Sequence, residues 1–291
     1  EYHMRALNIN KEIGSQFGIA KSNYDIGSVY NSKSLYDSTL IYYNRALEIV
    51  EKINLKASVA HYLIQIGEIY INKEEYDEAL SYFFRAEKIA KEIGSKDNIA
   101  SSSEQIGEVY YWKENYDKAL KYYRVAYNYY VDLENRSRLA RICRFIGYLY
   151  NEQGEYDSTL VYYNYALKIA EDTGNKYDLK SIYDYFGTLY VEQGNYELAL
   201  EYYNRELIIL EELDSKNGIA NCLTQIGFIN LNMGNYEKAL QIFTRELNME
   251  MEMDHKEEIA NTYTNLGMVS FYKNRYQEAL DYLENSLKLK I

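Results

Sequence analysis

Residues 98–130 read NIASSSEQIGEVYYWKENYDKALKYYRVAYNYY, and the spacing of apolar side chains in this stretch decides the fold. Ile99, Ile106, Val109 and Tyr110 fall on one stripe of a helix running from about Asn98 to Trp112. A short polar break follows. Ala119, Leu120, Tyr123 and Ala126 then trace a second stripe from about Asp117 to Tyr130. The stretch predicts a helical hairpin, because two amphipathic helices joined by so few residues must fold back on each other.

The same pattern fills the chain. Gly27, Gly67, Gly107, Gly147, Gly187, Gly227 and Gly267 are forty residues apart throughout, as are Tyr36, Tyr76, Tyr116, Tyr156, Tyr196, Tyr236 and Tyr276. Nothing is inserted or deleted over seven units, which start near residues 20, 60, 100, 140, 180, 220 and 260. Residues 1–14 form a leading half unit, since Arg5-Ala6-Leu7 lies one period before Arg45-Ala46-Leu47. Leu287 to Ile291 stop within the second helix of the seventh unit. Both ends therefore fall inside a helix, and the sequence is expected to be part of a longer chain. Repeats of this kind override the two-domain count that 291 residues alone would suggest.

Composition agrees. The chain has no proline, where roughly fifteen would be average for this length. That absence argues against sandwiches, barrels and Pro-rich linkers and fits helices joined by short turns. With 47% apolar residues it is too hydrophobic to be disordered, and charge interrupts every apolar run short of a membrane span. A net charge of −12 disfavours nucleic-acid backbones and anionic membrane surfaces as partners.

Position by position, Ile66-Gly67-x-x-Tyr70 followed by Ala79-x-x-x-Phe83-x-x-Ala86 resembles the tetratricopeptide repeat. The usual unit of that family has 34 residues and a closing proline, whereas this one has forty and none; the added residues lengthen both helices. The resemblance implies an all-α, right-handed α-solenoid superhelix of antiparallel hairpins spanning residues 1–291. It is similar to the arrays of kinesin light chain, of bacterial peptide receptors, and of segments preceding bacterial sensor kinases and cyclases.

Within the unit, the mid-helix glycine is expected to let the two helices approach, with Ala79 or Ala119 facing it. Tyr43, Phe83, Tyr123, Tyr163, Tyr203 and Phe243 are expected to fill the groove between neighbouring units. The acidic residue of each Tyr-Asp or Tyr-Glu pair is placed to cap the second helix. A small residue near the end of that helix, held at Ala46, Ala86, Ala126 and Ala166, becomes Glu206 and Glu246. A buried carboxylate needs a partner, so these two are expected to bend outward or pair locally; the alternative is looser packing of the last units.

No enzyme signature survives inspection. His3, His61 and His255 lie in different repeats, no HExxH, GxSxG or phosphate-loop pattern occurs, and Cys143 and Cys222 are a whole unit apart and too distant for a disulfide. They read as buried thiols in a reduced, cytoplasmic setting. No cofactor or metal is expected.

In this family the resemblance assigns ligand binding to first-helix residues that point away from the second helix. Carried over, these are Gln105, Glu108, Tyr111 and Trp112 in unit three, and Arg141, Arg144, Phe145, Tyr148 and Asn151 in unit four. Units five and six supply Asp184, Tyr185, Asn221, Thr224 and Gln225. This amide-rich, aromatic set suits an extended peptide or partner-protein segment. Four arginines fall in nine residues, Arg136, Arg138, Arg141 and Arg144. The first two are placed in the exposed turn between units. The last two either grip a carboxylate or phosphate bidentately or pair with Glu104, Glu108 and Asp184. Apolar side chains such as Leu7, Ile9, Leu283 and Leu287 are expected to lie bare at the ends and to favour end-to-end self-association. Sensory input to a larger signalling protein and reception of a signal peptide remain as alternative functions.

Overall fold

The computed structural model describes residues 2–290, so Glu1 and Ile291, expected in the first and last helices, lie outside the described residues. The chain divides into two compact units, Glu1–Gln153 and Gly154–Ile291. The first contains α1 (Tyr2–Glu12), α2 (Gln16–Asn31), α3 (Tyr36–Lys52), α4 (Lys56–Asn72), α5 (Tyr76–Ile93), α6 (Lys96–Trp112), α7 (Tyr116–Asp132) and α8 (Arg136–Glu152). The second contains α9 (Tyr156–Thr173), α10 (Lys176–Glu192), α11 (Tyr196–Glu212), α12 (Lys216–Asn232), α13 (Tyr236–Met253), α14 (Lys256–Tyr272) and α15 (Tyr276–Lys290). The described residues contain helices and no strands. In the first unit α2/α3, α4/α5 and α6/α7 pack as hairpins, and in the second α10/α11, α12/α13 and α14/α15 do the same.

Inside five of the hairpins, those of Gly27, Gly67, Gly107, Gly187 and Gly227, an aromatic ring lies where a side chain on the glycine would stand. A Cβ on Gly67 would meet Phe83 Cε1 at 2.5 Å, and one on Gly107 would meet Tyr123 Cδ1 at 2.8 Å. Gly187 faces Tyr203 and Gly227 faces Phe243 in the same way. This corrects the sequence expectation on two points. The glycine makes room for a ring rather than for Ala79 or Ala119, and those rings sit inside their own hairpin while Tyr123 and Tyr163 also reach the next unit, at Phe145 and Phe186. Phe83, Tyr123 and Phe243 are fully buried there, each contributing roughly 2–3 kcal/mol of apolar transfer. Further along each hairpin tyrosines stack in pairs, Tyr30–Tyr42, Tyr70–Tyr82, Tyr110–Tyr122 and Tyr190–Tyr202, with centroids 5.3 to 5.8 Å apart.

Turns repeat as closely as helices. Gly94, Gly174, Gly194 and Gly234 take positive φ, and where glycine is missing Glu74, Glu114 and Asp214 adopt the same left-handed conformation. At one such turn Glu114 N donates to Tyr111 O at 2.9 Å and Asn115 N to Tyr110 O at 2.8 Å, satisfying the last carbonyls of α6. The second helix is capped differently from expectation. In two units the residue before the tyrosine serves, Asn115 accepting from Lys118 N at 3.2 Å and Asn195 from Leu198 N at 3.3 Å, while Leu35, Glu75, Glu155 and Asn235 make no such bond. The acidic residue sits one place further in and reaches the neighbouring hairpin instead, as Asp77 does to Lys113 at 2.6 Å and Asp37 to Lys73 at 3.3 Å.

Two other expectations change. Leu7 is buried against α2, whereas Ile9, Leu283 and Leu287 are exposed. Glu206 and Glu246 do not bend outward, each being 5% exposed, and Glu246 takes the other expected course by pairing locally with Thr224 and Thr262.

Gly107→Ala is expected to cost about 1–3 kcal/mol in urea unfolding, since the new methyl overpacks Tyr123. At Gly267, where a Cβ would stand 3.0 Å from the flexible Leu283, the gain in helix propensity of about 1 kcal/mol should leave Ala near neutral. Hydrogen exchange in Gly107→Ala should quicken in α6, α7 and the hairpins touching them, because stability in a repeat array is a nearest-neighbour quantity.

Candidate functional site

First helices present their outward side chains from successive turns, so residues forty apart line up as columns of one face. In the first unit this face carries a buried charge cluster. Glu104 has a side chain only 1% exposed. Tyr130 Oη donates to its Oε2 at 2.5 Å, Arg138 Nη1 donates to the same oxygen at 3.1 Å, and Arg141 Nη2 donates to Oε1. Arg138 thus lies in the first turn of α8 and takes part in the cluster, rather than standing in the connecting turn. Burial alone would lower the Arg141 guanidinium, but Glu104 beside it outweighs this and the net shift is upward. Burial pushes the Tyr130 phenol up, and the Glu104 charge pushes it further.

Beside this cluster is a recess of about 310 Å³ lined by Glu68, Ile71, Asn72, Gln105, Glu108, Arg138 and Arg141. Burial pushes Glu68 up to about 7, while Arg138 pulls the other way. Glu108 is raised for the same first reason, with Arg141 opposing. Gln65 Nε2 donates to Glu68 at 3.1 Å and in turn accepts from Tyr24 Oη at 3.0 Å, which ties the first helices α2 and α4 together.

The remaining expected residues of the first unit stand apart from this recess. Tyr111 packs edge-to-face on Trp112 at 5.2 Å and on Tyr148 at 5.7 Å, and Trp112 is half exposed at 52%. Phe145 stacks on Tyr123 at 5.3 Å. Arg144 and Asn151 are half-buried.

The second unit has its own recess, about 190 Å³, lined by Lys180, Asp184, Tyr203, Glu206, Gly218, Asn221, Cys222 and Gln225. It brings together Asp184, Asn221 and Gln225 of the expected set. Tyr185 tilts against Tyr163 at 5.6 Å, and Thr224 donates to Glu246 Oε1 at 2.7 Å; both serve packing nearby. Burial, then the charge of Asp184, pushes Glu206 up to about 8. The same burial drives the Cys222 thiol far up, and Cys143 to about 12, so both stay protonated at neutral pH.

Arg138, Lys180, Glu206 and Cys222 were not among the residues picked from the first-helix pattern, whereas Glu68, one period before Glu108, belongs to it. Glu206 had a signal in the broken column of small residues, and Arg138 in the run of four arginines. Lys180 lies on the rim of the stripe and had none. Among the described residues no group of three His, Cys, Asp or Glu side chains has metal-ligand geometry, and no helix is long and apolar enough to cross a membrane.

Stacked antiparallel hairpins of constant length define a helical-repeat protein. Within that class, the tetratricopeptide repeat profile matches residues 18–92, 58–132, 138–212, 178–252 and 218–291, and the chain belongs to the tetratricopeptide repeat family. Among solved structures it is similar to a Signal Transduction ATPase with Numerous Domains protein with a tetratricopeptide repeat sensor from Pyrococcus horikoshii. That likeness has a TM-score of 0.83 at 18% identity over 93% of this chain, which spans 42% of the longer protein. It is similar to the apo form of the quorum sensor NprR from B. thuringiensis, with a TM-score of 0.61 at 14% identity over 98% of this chain and 92% of that one. A Rap protein complexed with competence and sporulation factor gives 0.59 at 17% over 91% and 76%. No curated protein matches the sequence closely enough to count as a relative.

Glu104→Ala leaves Arg138, Arg141 and Tyr130 without their shared acceptor. Because both guanidiniums are partly solvated, the expected loss is about 1–3 kcal/mol, below the range for a fully buried pair, read as a lower urea midpoint. Glu206 acts on pH dependence. Its folded pKa lies above the ordinary carboxylate value, so the folded state holds a proton that the unfolded chain has released. Stability from this group is complete below about pH 4.5 and is lost as pH rises towards 8. Glu206→Gln should flatten that fall, raising stability by about 1–3 kcal/mol at pH 8.5 and changing it little at pH 5.

Proposed function

We propose that the chain is a binding scaffold that takes a peptide or a segment of a partner protein along its first-helix face and performs no chemistry itself. The observation that carries this is the pair of polar recesses, the first lined by the first helices α4, α6 and α8 and the second by the first helices α10 and α12 with α11 between them. Gln105, Asn221 and Gln225 offer amide groups for a peptide backbone, and Trp112, Tyr111, Tyr148 and Phe145 offer flat apolar contact. The full peptide-binding set remains Gln105, Glu108, Tyr111, Trp112, Arg141, Arg144, Phe145, Tyr148, Asn151, Asp184, Tyr185, Asn221, Thr224 and Gln225. Structural likeness to a quorum sensor and to a Rap protein solved with competence and sporulation factor supports this reading. Protonated, buried thiols support the absence of nucleophilic chemistry.

The Arg141 guanidinium already serves Glu104, so an incoming acidic group would have to compete with a buried carboxylate. Arg141 is therefore a positioning group for the recess more than a free anion clamp. A second reading is favoured by the sensor of the P. horikoshii protein, in which a comparable array is less than half of a longer chain. There, occupancy of the face would be passed to a neighbouring domain.

A random heptapeptide library selected on the immobilised protein, followed by calorimetry of the enriched peptides, tests the proposal. Trp112→Ala and the pair Asn221→Ala/Gln225→Ala change exposed side chains, so melting should be unaffected while affinity falls at least tenfold, about 1.4 kcal/mol. No enrichment, or peptides indifferent to both variants, would overturn it.

A further inference from the structure

Glu206 on α11 stands where earlier units carry alanine, and it is buried without adequate partners. Its side chain is 5% exposed and its Oε2 has no hydrogen-bond partner. A carboxylate in that state costs folding free energy.

The next unit shows how the same position is satisfied. One period on, Glu246 Oε1 accepts from Thr224 Oγ1 at 2.7 Å, and the Thr262 hydroxyl lies 3.1 Å from the same oxygen. The residues forty before these two threonines are Asp184 and Cys222. Around Glu206, then, one hydroxyl donor is replaced by a second carboxylate. The other is replaced by a thiol, a weak donor, which lies 3.2 Å from Tyr203 O and also within hydrogen-bonding reach of Glu206. Lys180 lines the recess and its charge favours the ionised form of both acids, but it makes no ion pair within 4.0 Å with either, and Asp184 has no hydrogen-bond or ion-pair partner among the described residues. Asn221 and Gln225 at the mouth add amide oxygens that can accept.

The recess thus sets two carboxyl groups together, and the two hydroxyl donors of its neighbour are replaced by an acid and a weakly donating thiol. We propose that it is a subsite for an ammonium or guanidinium group, seated between Glu206 and Asp184. The group is a Lys or Arg side chain, or the free α-amine, of a peptide held on the first-helix face. This assignment rests on the peptide-binding reading of that face. Planar guanidinium, with its fork of N–H donors, satisfies two carboxylates best.

The test follows Glu206 directly. In protein carrying carbon-13-labelled glutamate, with Glu206→Gln to assign the resonance, its carboxyl is titrated alone and with N-acetyl-arginine amide, N-acetyl-lysine amide or glycine amide. Equimolar potassium chloride controls for screening. Lys180 and Asp184 from α10, Cys222 from α12 and Tyr203 from α11 face the same space, so Asp184→Asn is titrated in parallel. A cation that prefers the ionised carboxylate tenfold should move the midpoint down by about one pH unit, and less in Asp184→Asn. Whichever probe acts most strongly names the source: guanidinium, side-chain ammonium or α-amine.

A midpoint that moves no further with any of these than with potassium chloride overturns the subsite. Library peptides provide the second arm. Selection on wild type should enrich Arg, Lys or a free amino terminus at one position, and Glu206→Ala, which restores the side chain of the earlier units, should erase that enrichment. Enriched peptides with no cationic position would overturn the subsite and leave the peptide-binding face standing. A midpoint that moves while no peptide is enriched would uphold the subsite and bring down the peptide reading.

Discussion

Everything in this protein depends on a ring lying on a glycine. Two helices about 17 residues long, packed along their whole length, need one close contact from which the rest of the interface takes its register. Phe83 on Gly67 and Tyr123 on Gly107 provide it, with the ring closer to the first-helix backbone than any Cβ would allow. The helix propensity lost at each glycine, about 1 kcal/mol, is smaller than the apolar transfer gained by seating a whole aromatic side chain. At Gly267 the ring is replaced by Leu283 and the nearest approach relaxes to 3.0 Å.

With that contact set, the outer surface follows. Lys96 meets Asp132 at 2.8 Å, Lys56 meets Glu92 at 3.2 Å and Lys176 meets Glu212 at 3.2 Å, always 36 residues apart and at the same end of a hairpin. Such exposed pairs are worth little individually. Their recurrence shows that hairpin geometry is repeated closely enough to bring the same two side chains together each time. Left-handed turns do similar work: Glu114 accepts φ +55° because the flanking helices leave no other way to close the loop.

The frame was legible in the sequence because it is written in periodic columns. Forty-residue spacing placed every helix and most turns, and one unit read as a hairpin stood for seven. Legibility ended where a side chain's role depends on a neighbour in another column. Arg138 looked like a turn residue because α8 begins earlier than its apolar stripe, and only the packing of α6, α7 and α8 shows that Glu104 draws it in. The acidic residue after each tyrosine looked like a cap; the asparagine before it was the better-placed acceptor, and the acid was left to reach across hairpins. Glu206 and Glu246 looked alike in their own column. What separates them is the content of two other columns, threonine and threonine for one, aspartate and cysteine for the other.

That last difference bears on how a repeat protein acquires a site. Every unit must preserve the glycine, the ring and the turn, so variation is confined to positions that the hairpin does not need. In the first unit such variation yields a closed solution: Glu104 is buried and held by Arg138, Arg141 and Tyr130. Around Glu246 it yields another closed solution, made with neutral hydroxyls. Around Glu206 the two hydroxyls are absent and Oε2 has no partner, and the cost falls on a unit whose frame is otherwise sound, with Tyr203 still seated on Gly187. Because each hairpin is supported mainly by its neighbours, a defect of a few kcal/mol in one of them does not unravel the array. A polar defect with an opening to solvent therefore has a physical place in such a fold. It is tolerated by the frame and is relieved only by a group that brings the missing donors.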